Sequence, residues 1–216
     1  MIELSAEQGL ALAFCGARVR ALFSNLLQFD RNLARAVQQE NAPIAGQIRL
    51  AWWRDQVAES PGRRTPSPML DGLMQGTALA GQLLTQIIDA WEILLAEGEL
   101  SDETLLHYAN GRGGGVFCMA ATLSETDASE ALEAAGTLWA LVDFARHCAD
   151  PSMSKHVLGL ARAFCGSARR LPGSLRPFAL LAYFAERDAI RGFDRLIPLG
   201  SPRRIAQAWK FSLGMG

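Results

Sequence analysis

What this chain lacks narrows it first. Lysine is nearly absent: Lys155 and Lys210 are the only two, so almost every cation is an arginine. Such usage reads either as bidentate recognition of phosphate or carboxylate groups or as a coding bias. Neither charge is in surplus. A formal net charge of -1 at pH 7 argues against general nucleic-acid binding, which needs a basic face. The four cysteines, Cys15, Cys118, Cys148 and Cys165, form no C-x-x-C pair and have no histidine at metal-ligand spacing. Flanked by apolar residues, they read as free thiols in a reducing compartment. No apolar run reaches the length of a membrane span, and the longest, Pro177 to Ala185, is about half of what is needed. The opening residues, MIELSAEQ, are acidic and polar, so no secretory signal is expected. The expected location is the cytoplasm, with contact at the face of the inner membrane left open. β-branched residues are few, which removes the usual signal for strands.

Helical periodicity is what remains. Half of the 216 residues are hydrophobic and a fifth are charged, enough for one domain with a sizeable core. Leu70, Leu73, Met74, Leu84, Ile87, Ile88, Trp91, Leu94 and Leu95 recur at steps of three and four, which aligns them on helix faces. Ser5 with Gln8 reads as a capping box, and Ser201-Pro202 as a cap with proline at the first helical position. Polar and Gly/Pro-rich breaks fall at 59–68, 97–102, 124–129, 149–154, 171–177 and 198–203. Between them lie seven or eight helices, including 21–38, 43–58, 102–123 and 128–149 around a central space. The fold class is all-α, a single domain over residues 1–216.

Several stretches ask for a chemical reason. Gly111-Arg-Gly-Gly-Gly115 interrupts a helix, where each glycine costs about 1 kcal/mol relative to alanine. It reads as close helix packing or a kink, or as a place where backbone approaches a ligand. A phosphate loop is excluded, since no lysine and hydroxyl follow. No G-x-S-x-G nucleophile elbow is present. His107, His147 and His156 share no metal-ligand spacing, while Asp143, His147 and Asp150 form one acid–histidine cluster. That cluster suits acid–base work or weak metal binding, or is a solvated helix end. In PIAGQIRLAWWRDQV (43–57), apolar residues point nearly all round, as in a buried helix. Arg49, set between Trp52 and Trp53, is then expected to be withdrawn from water. It would pair with Asp30, Asp89 or Asp143 and stack on an indole, or else run along the indoles to the surface.

Taken together, these stretches resemble the squalene/phytoene synthase family. The resemblance rests on Ala21 to Val37, on Gly46-Gln-Ile-Arg-Leu-Ala-Trp-Trp-Arg-Asp55, on Ile87 to Leu95, on Tyr108 to Val116, on Gly136 to Arg146 and on Leu171 to Pro177. It implies a helical bundle of the isoprenoid-synthase type, shortened after the second metal-motif helix. It also implies an ancestral transferase activity in isoprenoid biosynthesis, the condensation of two polyprenyl diphosphates. By this correspondence the first aspartate motif falls on Ala34 and Gln38, and the second on His147 and Pro151, with Asp150 the one carboxylate beside them. No metal site is therefore expected, and Mg²⁺ would enter only if an altered site still served an active prenyltransferase. The sequence is most similar to the aspartate-deficient subgroup that includes the mitochondrial complex I assembly factor. This implies a pseudoenzyme with no cofactor, binding a prenyl or acyl lipid, a partner protein or a membrane surface. The pocket candidates are Arg31, Arg49, Trp52, Trp53, Tyr108, Gly111, Gly115, Asp143, Arg146, His147 and Asp150. If the ancestral pocket survives, Phe23, Leu27, Val116, Met119 and Leu141 should line a tunnel for a lipid tail.

Overall fold

The structure, a computed structural model, describes residues 4–38, 43–60, 62–74, 78–96, 98, 100–192, 197–198 and 200–214. Positions 61, 97, 99 and 199 of the expected breaks lie outside them. Among the described residues there is no strand. The helices are α1 (Ala6–Ala13), α2 (Ala17–Val37), α3 (Pro43–Ala58), α4 (Pro68–Leu73), α5 (Ala78–Ile93), α6 (Asp102–Ala109), α7 (Gly115–Leu123), α8 (Glu130–His147), α9 (Pro151–Ala161), α10 (Arg176–Arg191) and α11 (Pro202–Ser212).

Six of these helices start at short polar side chains that satisfy the first free backbone N–H groups. Ser5 and Gln8 form the reciprocal capping box of α1. Ser67, Ser101, Ser129, Asp150 and Ser201 cap α4, α6, α8, α9 and α11. In α8 the charges also oppose the helix dipole, with Glu130 and Glu133 in the first turn and Arg146 and His147 in the last. Gly192 ends α10 at φ 73°, a conformation that glycine adopts without strain.

One apolar core runs from Ala11 to Ala208. At its centre α10 inserts Phe178 edge-on against Phe23 of α2 and Phe117 of α7, with ring centroids 4.9 and 5.2 Å apart. This filling corrects the expected open space. Phe23, Leu27, Val116, Met119 and Leu141 are fully buried in the packed core, and none lines a described cavity. A cavity opens instead where the C-terminal halves of α2 and α8 face each other.

The glycine run is both kink and close packing. Asn110–Gly114 forms a π-helical turn that joins α6 to α7, a local widening that re-aims side chains. A Cβ on Gly113 would lie 1.9 Å from the Gly136 carbonyl oxygen of α8, and one on Gly136 would lie 2.1 Å from that of Gly113. A Cβ on Gly111 or Gly115 would press on Ala90 or Ile87 of α5. Backbone therefore meets backbone at the crossing of this turn with α8. Gly113→Ala or Gly136→Ala should cost about 3 kcal/mol, since neither backbone can step aside. Gly159→Ala in α9, where nothing lies within 4 Å, should instead gain about 1 kcal/mol. Urea unfolding midpoints compare the three.

Candidate functional site

The π turn aims Arg112 into the protein interior. Arg112 is 3 % exposed and Asp30 is not exposed at all. Arg112 Nε donates to Asp30 Oδ1 at 2.9 Å, and one terminal nitrogen donates to Oδ2, also at 2.9 Å. The other terminal nitrogen donates to the Tyr108 hydroxyl oxygen at 2.8 Å. The Asp143 carboxylate, on α8, lies 2.8 Å from the same guanidinium. The guanidinium carbon lies over two indoles, Trp91 and Trp139, with centroids 4.3 and 4.7 Å away, an arrangement that suits a planar cation. Trp91 Nε1–H also donates to Asp30, at 2.9 Å. One side chain thus ties α2, α5, α6 and α8 together.

The electrostatics follow from burial and from this pairing. Burial alone would lower the pKa of Arg112, but Asp30, Tyr108 and Asp143 outweigh it and hold the guanidinium charged. Burial raises the Tyr108 phenol well above its ordinary value despite the neighbouring cation. Burial would also raise Asp143, yet Arg112, with His147 and Arg146, holds its carboxyl below the ordinary 3.8.

Next to this cluster opens a cavity of about 340 Å³. Of the candidates, Arg31, Ala34, Gln38, Tyr108, Asp143, Arg146 and His147 line it. They are joined by Glu7, Asp30, Arg35, Trp91, Arg112 and Trp139, which had not been singled out as pocket residues. Arg31 and Arg35, one turn apart on α2, have no ion-pair partner among the described residues. Arg146 pairs with Asp188 of α10.

Other candidates lie elsewhere. Asp150 caps α9, accepting from the N–H groups of Ser152 and Met153, and Pro151 is the first residue of that helix. The His147 ring sits on the Asp143 carbonyl of its own helix, 2.8 Å away, so the expected acid–histidine trio is a helix end. Gly111 faces Ala90 and borders a separate open groove of about 1020 Å³ between α3, α5 and α6. Gly115 packs on Ile87.

The reading of α3 needs correction. Trp52 is exposed, as are Ile44 and Ile48; Trp53 packs edge-on against Phe29 and Trp52. Arg49 is half-exposed and forms no ion pair among the described residues. The helix is apolar on two sides but only one is covered, by α2 and α5, so Arg49 never leaves water. The three carboxylates proposed for it do bind arginine: Asp30 and Asp143 bind Arg112, and Asp89 binds Arg54, with Glu92 alongside. Asp30 could have been found from its register. It falls within the stripe Phe23, Leu26, Leu27, Leu33 of α2, all buried, and an acid on a buried face needs a cationic partner.

The donor set does not fit a divalent cation. Mg²⁺ needs several free oxygen ligands in near-octahedral array. The carboxylates at the cavity are Glu7, Asp30 and Asp143, and all three are already bound to arginine, Glu7 to Arg204 at 2.7 Å. Among the described residues no group of three or more acidic, histidine or cysteine side chains could hold a metal.

The family model described as squalene/phytoene synthase matches residues 5–154. The chain belongs to this family. Searches of curated proteins and of solved structures gave no match. Membership in the squalene/phytoene synthase family, with a strandless bundle among the described residues, places the fold in the isoprenoid-synthase class; the cavity is lined by residues of α2 and α8. By the sequence correspondence the first motif is expected at Ala34 and Gln38 and the second at His147 and Pro151; of these, Ala34, Gln38 and His147 line the cavity. Two of the helices' remaining acids, Asp30 and Asp143, lie closer to the interior, clasping Arg112.

Arg112→Met should cost about 3–5 kcal/mol, because Asp30 is left buried and unpaired. The double change Arg112→Met with Asp30→Leu should cost less than the single one, and Arg49→Met under about 0.5 kcal/mol. Guanidinium chloride midpoints decide between them. The lowered Asp143 carboxyl also fixes a sign for pH. Its stabilisation is full above the ordinary 3.8 and is lost as pH falls through the lower value of the folded state. Asp143→Asn should therefore be less stable at neutral pH and show a flatter decline below pH 3.8, measured as melting temperature against pH.

Proposed function

We propose that this protein is a non-catalytic member of its family, a pseudoenzyme whose cavity receives a single lipid with an anionic head. The observation that carries this reading is the Arg112 guanidinium, which already holds Asp30 and Asp143 and so leaves neither cavity carboxylate free for a metal ion. Diphosphate departure from a prenyl chain depends on metal ions to offset the developing charge, an effect worth several kcal/mol. Arg112 offers no equivalent, since its N–H groups are already turned to Asp30, Tyr108 and Asp143.

Size supports the same reading. A cavity of about 340 Å³ is near the lower end of the roughly 300–1,000 Å³ typical of a site for one small ligand. Two polyprenyl chains, the substrates of a head-to-head condensation, would not share it. Arg31 and Arg35 on α2 present cations to a headgroup, while Trp91, Leu94 and Phe144 offer apolar walls to the first part of a tail. A prenyl or acyl lipid fits that division of polar mouth and apolar wall. The wider role we infer is that of the aspartate-deficient subgroup: lipid binding, or assembly of a respiratory complex through a partner protein at the inner-membrane surface, from the cytoplasm.

Incubation with farnesyl or geranylgeranyl diphosphate and Mg²⁺ should release no pyrophosphate above background. Mg²⁺ alone should leave the melting temperature unchanged, whereas a prenyl or acyl phosphate should raise it by mass action, less so in Arg31→Gln. Turnover at an ordinary enzymatic rate would establish instead an active prenyltransferase with an altered metal site.

A further inference from the structure

A second surface, sharing no residue with the cavity, lies on α11. We propose that α11 and the arginines beside it dock the protein on an anionic phospholipid membrane. The helix is held to the bundle on one side only. Arg204 is fully buried against Asp188 and Glu7, Ala208 is buried, and Phe211 stacks on Tyr183 with centroids 4.7 Å apart. On a neighbouring face Ile205, Trp209 and Leu213 are 41 %, 58 % and 63 % exposed. Steps of four place these three within an arc of about 80°, so they form one apolar stripe. Phe14 meets Trp209 edge-on and continues it.

Cations lie at the flank of α11. Arg203 and Lys210 are exposed on α11 itself, and Arg169, Arg170 and Arg176 are exposed just before and at the start of α10. Arg169 and Arg176 share a cleft of about 380 Å³ with Phe211 and Gly214, at the C-terminal end of α11. The charge of the whole chain is divided in the same sense. Residues 162–216 hold ten Lys and Arg against three Asp and Glu, whereas residues 1–161 hold eleven against nineteen. A net charge near zero conceals a basic end and an acidic remainder.

A helix with Trp, Leu and Ile on one face and cations at its flank suits the plane of a membrane interface, where rings and aliphatic chains sink below the headgroups. Phosphate headgroups complement the arginines, and the cleft of Arg169 and Arg176 is placed to receive one. No described helix is long and apolar enough to cross a membrane, so the contact is peripheral. A second copy joined face to face would set these cations against their own images, which disfavours that occupant.

The test is flotation of the full chain with vesicles of phosphatidylcholine alone, or of phosphatidylcholine and phosphatidylglycerol in equal parts. The chain should float only with the anionic vesicles and be released by salt. Arg169→Gln with Arg176→Gln should weaken binding roughly twenty-five-fold, since each cation near such a surface contributes about fivefold. Ile205→Ser with Trp209→Ser should abolish it, while Trp209→Phe retains it and loses the blue shift of tryptophan emission. Unchanged circular dichroism and melting temperature show that each variant is folded. Absence of flotation, equal binding to phosphatidylcholine alone, or indifference to these substitutions would overturn the proposal. So would a concentration-dependent dimer that Trp209→Ser dissolves, since it would identify a second copy as the occupant. None of these outcomes depends on what the cavity holds.

Discussion

A guanidinium removed from water must be met on every side, and the architecture around Arg112 is what meeting it requires. Its N–H groups need oxygen from Asp30, Tyr108 and Asp143, and its faces need the indoles of Trp91 and Trp139. Those residues come from four helices, so the position of one cation restricts how α2, α5, α6 and α8 can sit. A buried ion pair is weak support for net stability, because desolvation consumes much of the attraction. Its effect is on arrangement: any shift of α8 relative to α2 separates Asp143 or Asp30 from the charge they share.

That arrangement explains the glycines better than conformational freedom does. For Arg112 to reach both Asp30 and Asp143, its own helix must lie close against α8. Gly113 and Gly136 permit this by letting carbonyl and Cα meet directly. The π-helical turn then rotates the register so that Arg112 points inward while Gly113 faces α8. Sequence, local geometry and charge pairing are here one constraint stated at three levels.

Much of this was legible beforehand, but in the wrong place. The helix starts at Ser5, Ser201-Pro202 and Asp102 are local features, set by capping chemistry, and they stand as read. The glycine run was recognised as packing or kink, and it is both. What failed was the assignment of the buried cation to Arg49. Helical periodicity tells which residues share a face, not which face the rest of the protein covers, and α3 leaves Ile44, Ile48 and Trp52 to solvent. An arginine between two tryptophans does occur, but its indoles come from α5 and α8, far apart in sequence. The tunnel failed for a similar reason. Phe23 and Val116 were rightly buried, but the ring that fills the space between them, Phe178, comes from a helix more than fifty residues further along. Long-range juxtaposition has no local signature.

The contrast between a tethered cation and a diffusible one bears on what the site can do. A metal ion held by open carboxylates arrives with coordination positions to spare, and those positions grip the leaving group as its charge develops. Arg112 is covalently part of the wall. Its donors are consumed in the resting state, so they can strengthen nothing later, and only interactions that grow toward the transition state accelerate a reaction. Arg31 and Arg35 differ in this respect. They face the cavity without a carboxylate partner among the described residues, so an anion entering there gains contacts that the empty site lacks. That asymmetry, a saturated cation beside unsaturated ones in the same cavity wall, is the physical basis on which the proposal of a held anionic ligand rests.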